Sequence, residues 1–137
     1  MEYKVGEGTK IGYMPTEFDA NGNLVETKIV AGADITKGQL LSLSDAMTVV
    51  PATAGSDAVI GIAMFDAKSG ANVSIECEGL VRFTASAQVT APAKLKAAAA
   101  GKVAPWVTGT DNSSLIVGIA LADASGDGKT LIGRLTL

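Results

Sequence analysis

Catalysis in a small protein usually rests on a nucleophile beside a base, on two carboxylates held at different pKa values, or on a metal bound by histidine and cysteine. This chain of 137 residues has no histidine and a single cysteine, Cys77. It therefore lacks the commonest general base, the commonest metal ligand and every Ser-His or Cys-His pair. Asp, Glu, Lys and Ser remain, and no pair of them is set apart by spacing. Two segments carry the residue types of ligand loops. Asp123-Ala124-Ser125-Gly126-Asp127-Gly128 has oxygen-bearing side chains at its first, third and fifth positions and Gly at its sixth, as a calcium loop begins. The twelfth position, where a bidentate Glu is needed, is Arg134, so the segment reads as a hairpin turn. Asp19, Asn21 and Asn23 repeat the spacing with Leu24 in place of the turn Gly. Gly128-Lys129-Thr130 matches the end of a phosphate loop, but Asp123 stands where the earlier Gly belongs and the following residues are strand-like. Without a helix N-terminus the amide cradle cannot form. No catalytic residue, cofactor or metal ligand is expected.

Composition narrows the classes further. Apolar residues make up 47% of the chain and aromatics 4%, so the core must be built from Val, Ile, Leu, Ala and Met. One domain of this length buries roughly 70% of its unfolded surface. The apolar runs are broken by Gly, Asp, Ser or Lys well short of the ~20 residues that cross a bilayer, so no membrane partner is expected. Lys and Arg are scattered in a chain of net charge −3, which argues against nucleic acid. Met1-Glu2-Tyr3-Lys4-Val5-Gly6 has no apolar signal stretch, so the protein is expected to stay in the cytoplasm where it is made. The Asn72-Val73-Ser74 and Asn112-Ser113-Ser114 sequons then carry no meaning. Cys77 alternates with Val73 and Ile75 and is expected to point into the core.

The elements that would position these residues are mostly strands. Residues 1–27 are turn-rich and read as an extended N-terminal arm, with a hairpin at Asn21-Gly22, a pair that suits a type I′ turn. Residues 28–137 form the main domain. Short β-type runs recur there: Glu26 to Ala31, Gln39 to Leu43, Thr48 to Pro51, Val59 to Phe65, Val73 to Thr84, Lys102 to Val107, Ser114 to Leu121 and Lys129 to Leu137. Val73 to Glu78 alternates strictly, as a strand with one buried face does. Val59 to Phe65 is apolar throughout, as a strand covered on both faces is, within the chain or at a subunit interface. The Ala-rich stretch from Ala93 to Ala100 reads as one short helix, begun by Thr90 and Pro92 and stopped by Gly101, with a small-residue loop as the competing reading. The fold class is all-β, a small barrel or sandwich of about eight strands. The chain also resembles itself: Ile60 to Gly70 matches Val117 to Gly126 with Lys68 as a single insertion, two hairpins whose turns an Asp closes. Trp106 fits either a core plug or an exposed anchor, and the scarcity of aromatics favours the core.

One resemblance covers most of the chain, from about Val30 to the C-terminus. Ala31-Gly32-Ala33-Asp34-Ile35-Thr36-Lys37-Gly38-Gln39-Leu40-Leu41, then Val49-Val50-Pro51-Ala52, Val59-Ile60-Gly61-Ile62-Ala63, Gly70 to Gly79 and the closing hairpin Val117 to Leu137 resemble the bacteriophage capsid cement or head decoration family. The resemblance implies a compact, often trimeric β protein at threefold positions on the outer shell of a tailed phage. Such a protein has the major capsid protein as partner and reinforces the expanded shell, and it brings no catalytic residues. The arm residues Tyr3, Tyr13, Met14 and Phe18, together with Val59, Ile60, Ile62 and Trp106, are the candidate contacts with capsid or sister subunits. Homotrimerisation is expected through Val59 to Phe65 and Val117 to Leu121. The alternative reading is a head fibre or a carbohydrate- or receptor-binding surface module, although the clustered aromatics of such modules are missing.

Overall fold

The computed structural model describes residues 29–137 in full, and before them the backbones of three short strands: β1 (Lys10–Gly12), β2 (Thr16–Phe18) and β3 (Leu24–Glu26). Nine more strands follow: β4 (Val30–Ala31), β5 (Leu40–Asp45), β6 (Thr48–Pro51), β7 (Val59–Ala63), β8 (Ile75–Thr84), β9 (Ala93–Ala97), β10 (Val103–Pro105), β11 (Ile116–Ala120) and β12 (Thr130–Leu135). They form one sheet in the order β10-β9-β11-β12-β8-β7-β5-β6-β4, with β1 added beside β8. All its ladders are antiparallel except β4 on β6. β2 and β3 pair separately, Phe18 opposite Leu24, on either side of the expected turn. No described helix is long and apolar enough to cross a membrane. Each of the eight expected runs holds a strand, and the chain is almost entirely β.

The ninth strand of the main domain, β9, replaces the expected helix. Leu95 and Ala97 are buried and Lys94 faces outward, a period of two. β9 is hydrogen-bonded to β10 on one side and β11 on the other. Alanine's advantage in a helix is only a few tenths of a kcal/mol per residue, and two ladders and a buried Leu outweigh it. After β9, Ala99–Gly101 make a 3-10 turn in which Ala100 and Gly101 are left-handed, with φ of +58° and +71°.

The strand path is open, yet the sheet curls back on itself. Gly101 N donates to Ala52 O at 2.8 Å and Gln39 Nε2 donates to Ala100 O at 3.1 Å, so the β9–β10 turn rests on β5 and the residue after β6. A Cβ on Gly101 would lie 2.7 Å from the Gln39 Cβ, so this approach needs glycine.

The sheet is built from one unit used twice. Ala31, Ala33, Thr36, Leu41, Val49, Pro51 and Gly55 return at one constant spacing as Ala85, Ala87, Thr90, Leu95, Val103, Pro105 and Gly109. The hydrogen bonds return with them. Gly32 N to Val49 O (2.8 Å) is matched by Ser86 N to Val103 O (2.8 Å), and Ala52 N to Leu40 O (2.7 Å) by Trp106 N to Lys94 O (2.8 Å). The reciprocal bridge of Ile35 and Ala67 is matched by that of Val89 and Ala124. The hairpin likeness read in the sequence is the second part of this duplication, but its register shifts. Gly70 N donates to Ala31 O as Gly128 N donates to Ala85 O, and both glycines are left-handed, with φ of +87° and +80°. Gly70 therefore corresponds to Gly128 rather than Gly126, and the extra residue belongs to the second copy.

β8 serves both copies. Its first residues pair with β7 and β1, and Gly79 to Thr84 pair with β12. The first copy is thus β1, the start of β8, β7, β5 and β6, and the second is the end of β8, β12, β11, β9 and β10. The core divides accordingly. One cluster joins the second copy's inner face, including Phe83, Leu95, Val117 and Leu131, to Leu40, Ala52 and Ile62 of the first copy. The other holds Ala31, Ile35, Leu41, Val49, Ala63, Val73 and Ile75. Neighbours such as Leu40 and Leu41, or Ile62 and Ala63, go to different clusters, so the start of β5 and the end of β7 are buried on both faces, while Leu43 and Phe65 beyond them are exposed. Cys77 is half-buried against the second cluster.

Candidate interaction surface

The segments with ligand-loop composition are spent on structure. Asp66 Oδ1 accepts from Lys37 N at 2.7 Å, and its counterpart Asp123 Oδ1 accepts from Ala91 N at 2.7 Å. Each aspartate therefore ties its hairpin to the neighbouring segment instead of closing its own turn. Asp127 Oδ1 is 2.8 Å from Lys102 Nζ, which holds its carboxyl below the usual range. Gly128-Lys129-Thr130 runs into β12, with no helix to receive a phosphate. Among the described residues no three His, Cys, Asp or Glu side chains gather as a metal site.

The outer face of the second copy has a different character. Registers place Lys94, Ile119, Arg134 and Leu80 in a row across β9, β11, β12 and β8. A second row runs from Leu121, whose N–H donates to Ile132 O at 3.0 Å, through Ile132 to Arg82. Leu80 is 63% exposed and Leu121 54%. Side chains alternate across the pleat, so the buried residues Val81, Phe83, Ala120 and Leu131 face inward while these face out. Arg82 Nη1 donates to Thr130 Oγ1 at 3.3 Å. No described carboxylate pairs with Arg82, Lys94 or Arg134. The result is apolar ground studded with cations.

At its margin Trp106 is held by its own Nε1, which donates to Asn112 O at 2.9 Å, and Lys94 Nζ lies 5.5 Å from the ring centroid, in cation–π range. Trp106 is half-buried on this face, not a core plug. Lys96 Nζ meets Asp111 Oδ2 at 2.7 Å, and that carboxylate also accepts from Val107 N at 2.8 Å. Lys96 first, then the backbone bond, lowers the Asp111 pKa.

Charge divides between the copies. Residues 29–81 hold six carboxylates against two lysines, whereas residues 82–137 hold three carboxylates against six cationic side chains. The carboxylates of the first copy include Asp57 in the β6–β7 loop and Asp45 at the β5–β6 hairpin, both exposed; that hairpin also exposes Leu43 (45%) and Met47 (40%). Glu76, paired opposite Ile62 in β7, has its pKa raised by burial.

The expected contact residues scatter. Tyr3, Tyr13 and Met14 lie outside the described residues, and of Phe18 only the backbone in β2 is described. Val59 and Ile60 are half-buried. Ile62 is 5% exposed and belongs to the chain's own core, so it is not free for a partner, whereas Phe65, at the end of the same run, is 62% exposed. Sequence reasoning reached Leu121, the last residue of the expected Val117 to Leu121 face, but missed Leu80 and the basic residues between them. The available signal was the pairing of an apolar residue with Arg two positions later, Leu80 with Arg82 and Ile132 with Arg134, which puts both on one face of a strand.

The family model described as phage cement protein matches residues 19–135. Among curated proteins no sequence relative is found. A solved structure titled as the head fiber gp8.5 N base in bacteriophage phi29 is similar in fold, with a TM-score of 0.59 and 18% identity, over 82% of this chain and 93% of that one.

Proposed function

This chain belongs to the phage cement protein family, a family of capsid structural proteins, and from that premise we propose that it binds the outer surface of a tailed-phage capsid and bridges major capsid protein subunits. The observation that carries the reading is the outer face of the second copy, where Leu80, Ile119, Leu121 and Ile132 stand exposed or half-exposed among cations that no described carboxylate pairs. Cementing needs contact area and valency rather than chemistry. Several copies acting together tie shell subunits by modest contacts that add through effective concentration. A homotrimer at threefold positions supplies that valency, and host cytoplasm is the place of synthesis.

Residues 1–27 are the second contact in this reading, an arm laid on the capsid protein by Tyr3, Tyr13, Met14 and Phe18, with residues 28–137 as the body. Because β1 pairs with β8, removing the whole arm would also remove a strand, so point changes are the cleaner tool. Co-sedimentation with expanded, undecorated capsids tests the proposal. Saturable binding, with capsids made more heat-resistant and binding lost when those four residues are replaced by Ser, is the expected result. Absence of saturable binding would overturn the cement reading. A head fibre base is the second reading, favoured by the fold of the phi29 structure. Electron microscopy of decorated capsids separates the two, since a fibre base carries a projection beyond the compact domain.

A further inference from the structure

The contact that joins the two copies within one chain can be repeated between chains. Inside the molecule, the β9–β10 turn of the second copy sits on the outer face of the first, where Ala100 and Gly101 meet Gln39 and Ala52. In the duplication, Ala46 and Met47 of the β5–β6 hairpin are the counterparts of Ala100 and Gly101, and Met47, like Gly101, is left-handed (φ +51° and +71°). On the receiving side, Leu40 and Ala52 correspond to Lys94 and Trp106, whose main chains make the same hydrogen bond. In the first copy this receiving ground is fully buried. In the second copy it is open: Lys94 is exposed and Trp106 half-exposed.

We propose that a second copy of this chain covers it, the β5–β6 hairpin tip of one molecule seating on the Lys94 and Trp106 ground of the next. The exchanged side chains fit this contact. Where the internal joint sets Gly101 against Gln39 and Ala52, the joint between molecules sets Met47 against their counterparts Ala93 and Trp106, and the Met47 sulfur beside the Trp106 ring is a favourable pairing. Asp45, exposed at the tip, meets Lys94, and the wider surfaces carry opposite charge, six carboxylates to two lysines in residues 29–81 against three to six in residues 82–137. Complementary charge of this kind sets orientation and register. The joint is heterologous, tip to face, so each molecule has one of each to offer, and a ring closes when the rotation allows it. This deepens the cementing proposal by naming the contact between its copies, and it is tested without capsids so that the two can fail separately.

The experiment is light scattering on the full chain over a range of concentrations, with circular dichroism to verify folding. Wild type is expected to associate. Lys94→Glu and Asp45→Lys each weaken association about tenfold or more, and the double variant, which restores an opposite pair, recovers most of it. Trp106→Phe keeps an aromatic ring for Met47 and retains association, whereas Met47→Asp loses it. A wild type monomeric at every concentration, or single charge reversals that associate as tightly as wild type, would overturn the proposal. Loss of capsid binding in variants that still associate would count against the cement reading and leave this joint standing.

Discussion

The two copies share a backbone and differ in what covers them. Their equivalent hydrogen bonds agree within about a tenth of an ångström at the Gly32/Ser86 and Ala52/Trp106 positions, although few side chains are shared. Ladder bonds join main-chain groups and tolerate exchange of side chains, whereas a buried face does not. The first copy lies beneath the second and is apolar on both faces of β5 and β7, with Leu40, Leu41, Ile62 and Ala63 all buried. The second copy is apolar inward and mixed outward: Lys94 stands where the first has Leu40, and Arg134 where it has Glu76. Terminal units of repeat proteins commonly turn a polar outer face to water. Here the outer face keeps Leu80 and Leu121 among its cations, the mixture that a partner surface requires and that solubility alone does not.

The sharpest way to break this comparison is to exchange the side chains that distinguish the copies. Leu40→Lys forces an ammonium into the shared core and is expected to cost about 4 kcal/mol or more, enough to unfold a domain of ordinary stability. Lys94→Leu, the reverse change at the open position, should leave the melting midpoint within the reach of about 0.5 kcal/mol. Equal effects would mean that the two faces are not differently covered, and urea titration of both variants decides it.

A smaller effect probes the tight packing that the copies have in common. A Cβ on Gly61 would lie 2.5 Å from Glu76 O, and one on Gly118 would lie 2.6 Å from Arg134 O and 2.8 Å from the Phe83 ring. Gly61→Ala and Gly118→Ala should each destabilise by about 1–3 kcal/mol, the usual range for overpacking. At Gly61 the Cβ would also lie 2.5 Å from Ile75 Cγ2, closer than any contact at Gly118, so Gly61→Ala is expected to be the worse of the two by chemical denaturation.

The paired aspartates offer a third measure. Asp66→Ala and Asp123→Ala each remove one acceptor for a backbone N–H at 2.7 Å, and about 1 kcal/mol is expected from each. Unequal losses in thermal melts would show that the two hairpins are not energetically equivalent. The smallest effect concerns a pair present in the second copy, where Lys96 replaces Ser42 and faces Asp111. Lys96 lowers the folded-state pKa of Asp111, so the stabilisation is complete above the ordinary carboxylate pKa and fades as pH falls through the lowered value. Asp111→Asn should therefore flatten the acid limb of stability against pH, and an unchanged limb would remove this pair from the account.

Much of the strand pattern was legible because period-two alternation and turn residues are local signals. The run Val59 to Phe65 announced a strand covered on both faces, and Val73 to Glu78 one covered on a single face. β9 was not legible. Alanine is the best helix former, and only the ladders to β10 and β11, formed by residues distant in sequence, hold Ala93–Ala97 extended. The hairpin repeat was read but its full extent was not: the identities from Ala31 with Ala85 to Gly55 with Gly109 are sparse, and the hydrogen bonds are what match Ser86 to Gly32 and Trp106 to Ala52. The candidate surface was only partly legible: Leu121 closes the expected Val117 to Leu121 face, but Leu80 has ordinary core chemistry, and which residues the pleat turns outward depends on register.

By itself the sequence determined a chain with no histidine and one cysteine, built from short strands around a core of small aliphatic residues, in a pattern that matches phage cement proteins. Composition and alternation are properties of the chain, and they survive any arrangement of it. Only the tertiary structure decided that one unit lies over another, that Ile62 is consumed inside while Ile119 is half-exposed, and that Arg82, Lys94 and Arg134 share one face. Those facts depend on which strands meet and in what register. That is settled by the burial of the whole chain, and no local segment encodes it.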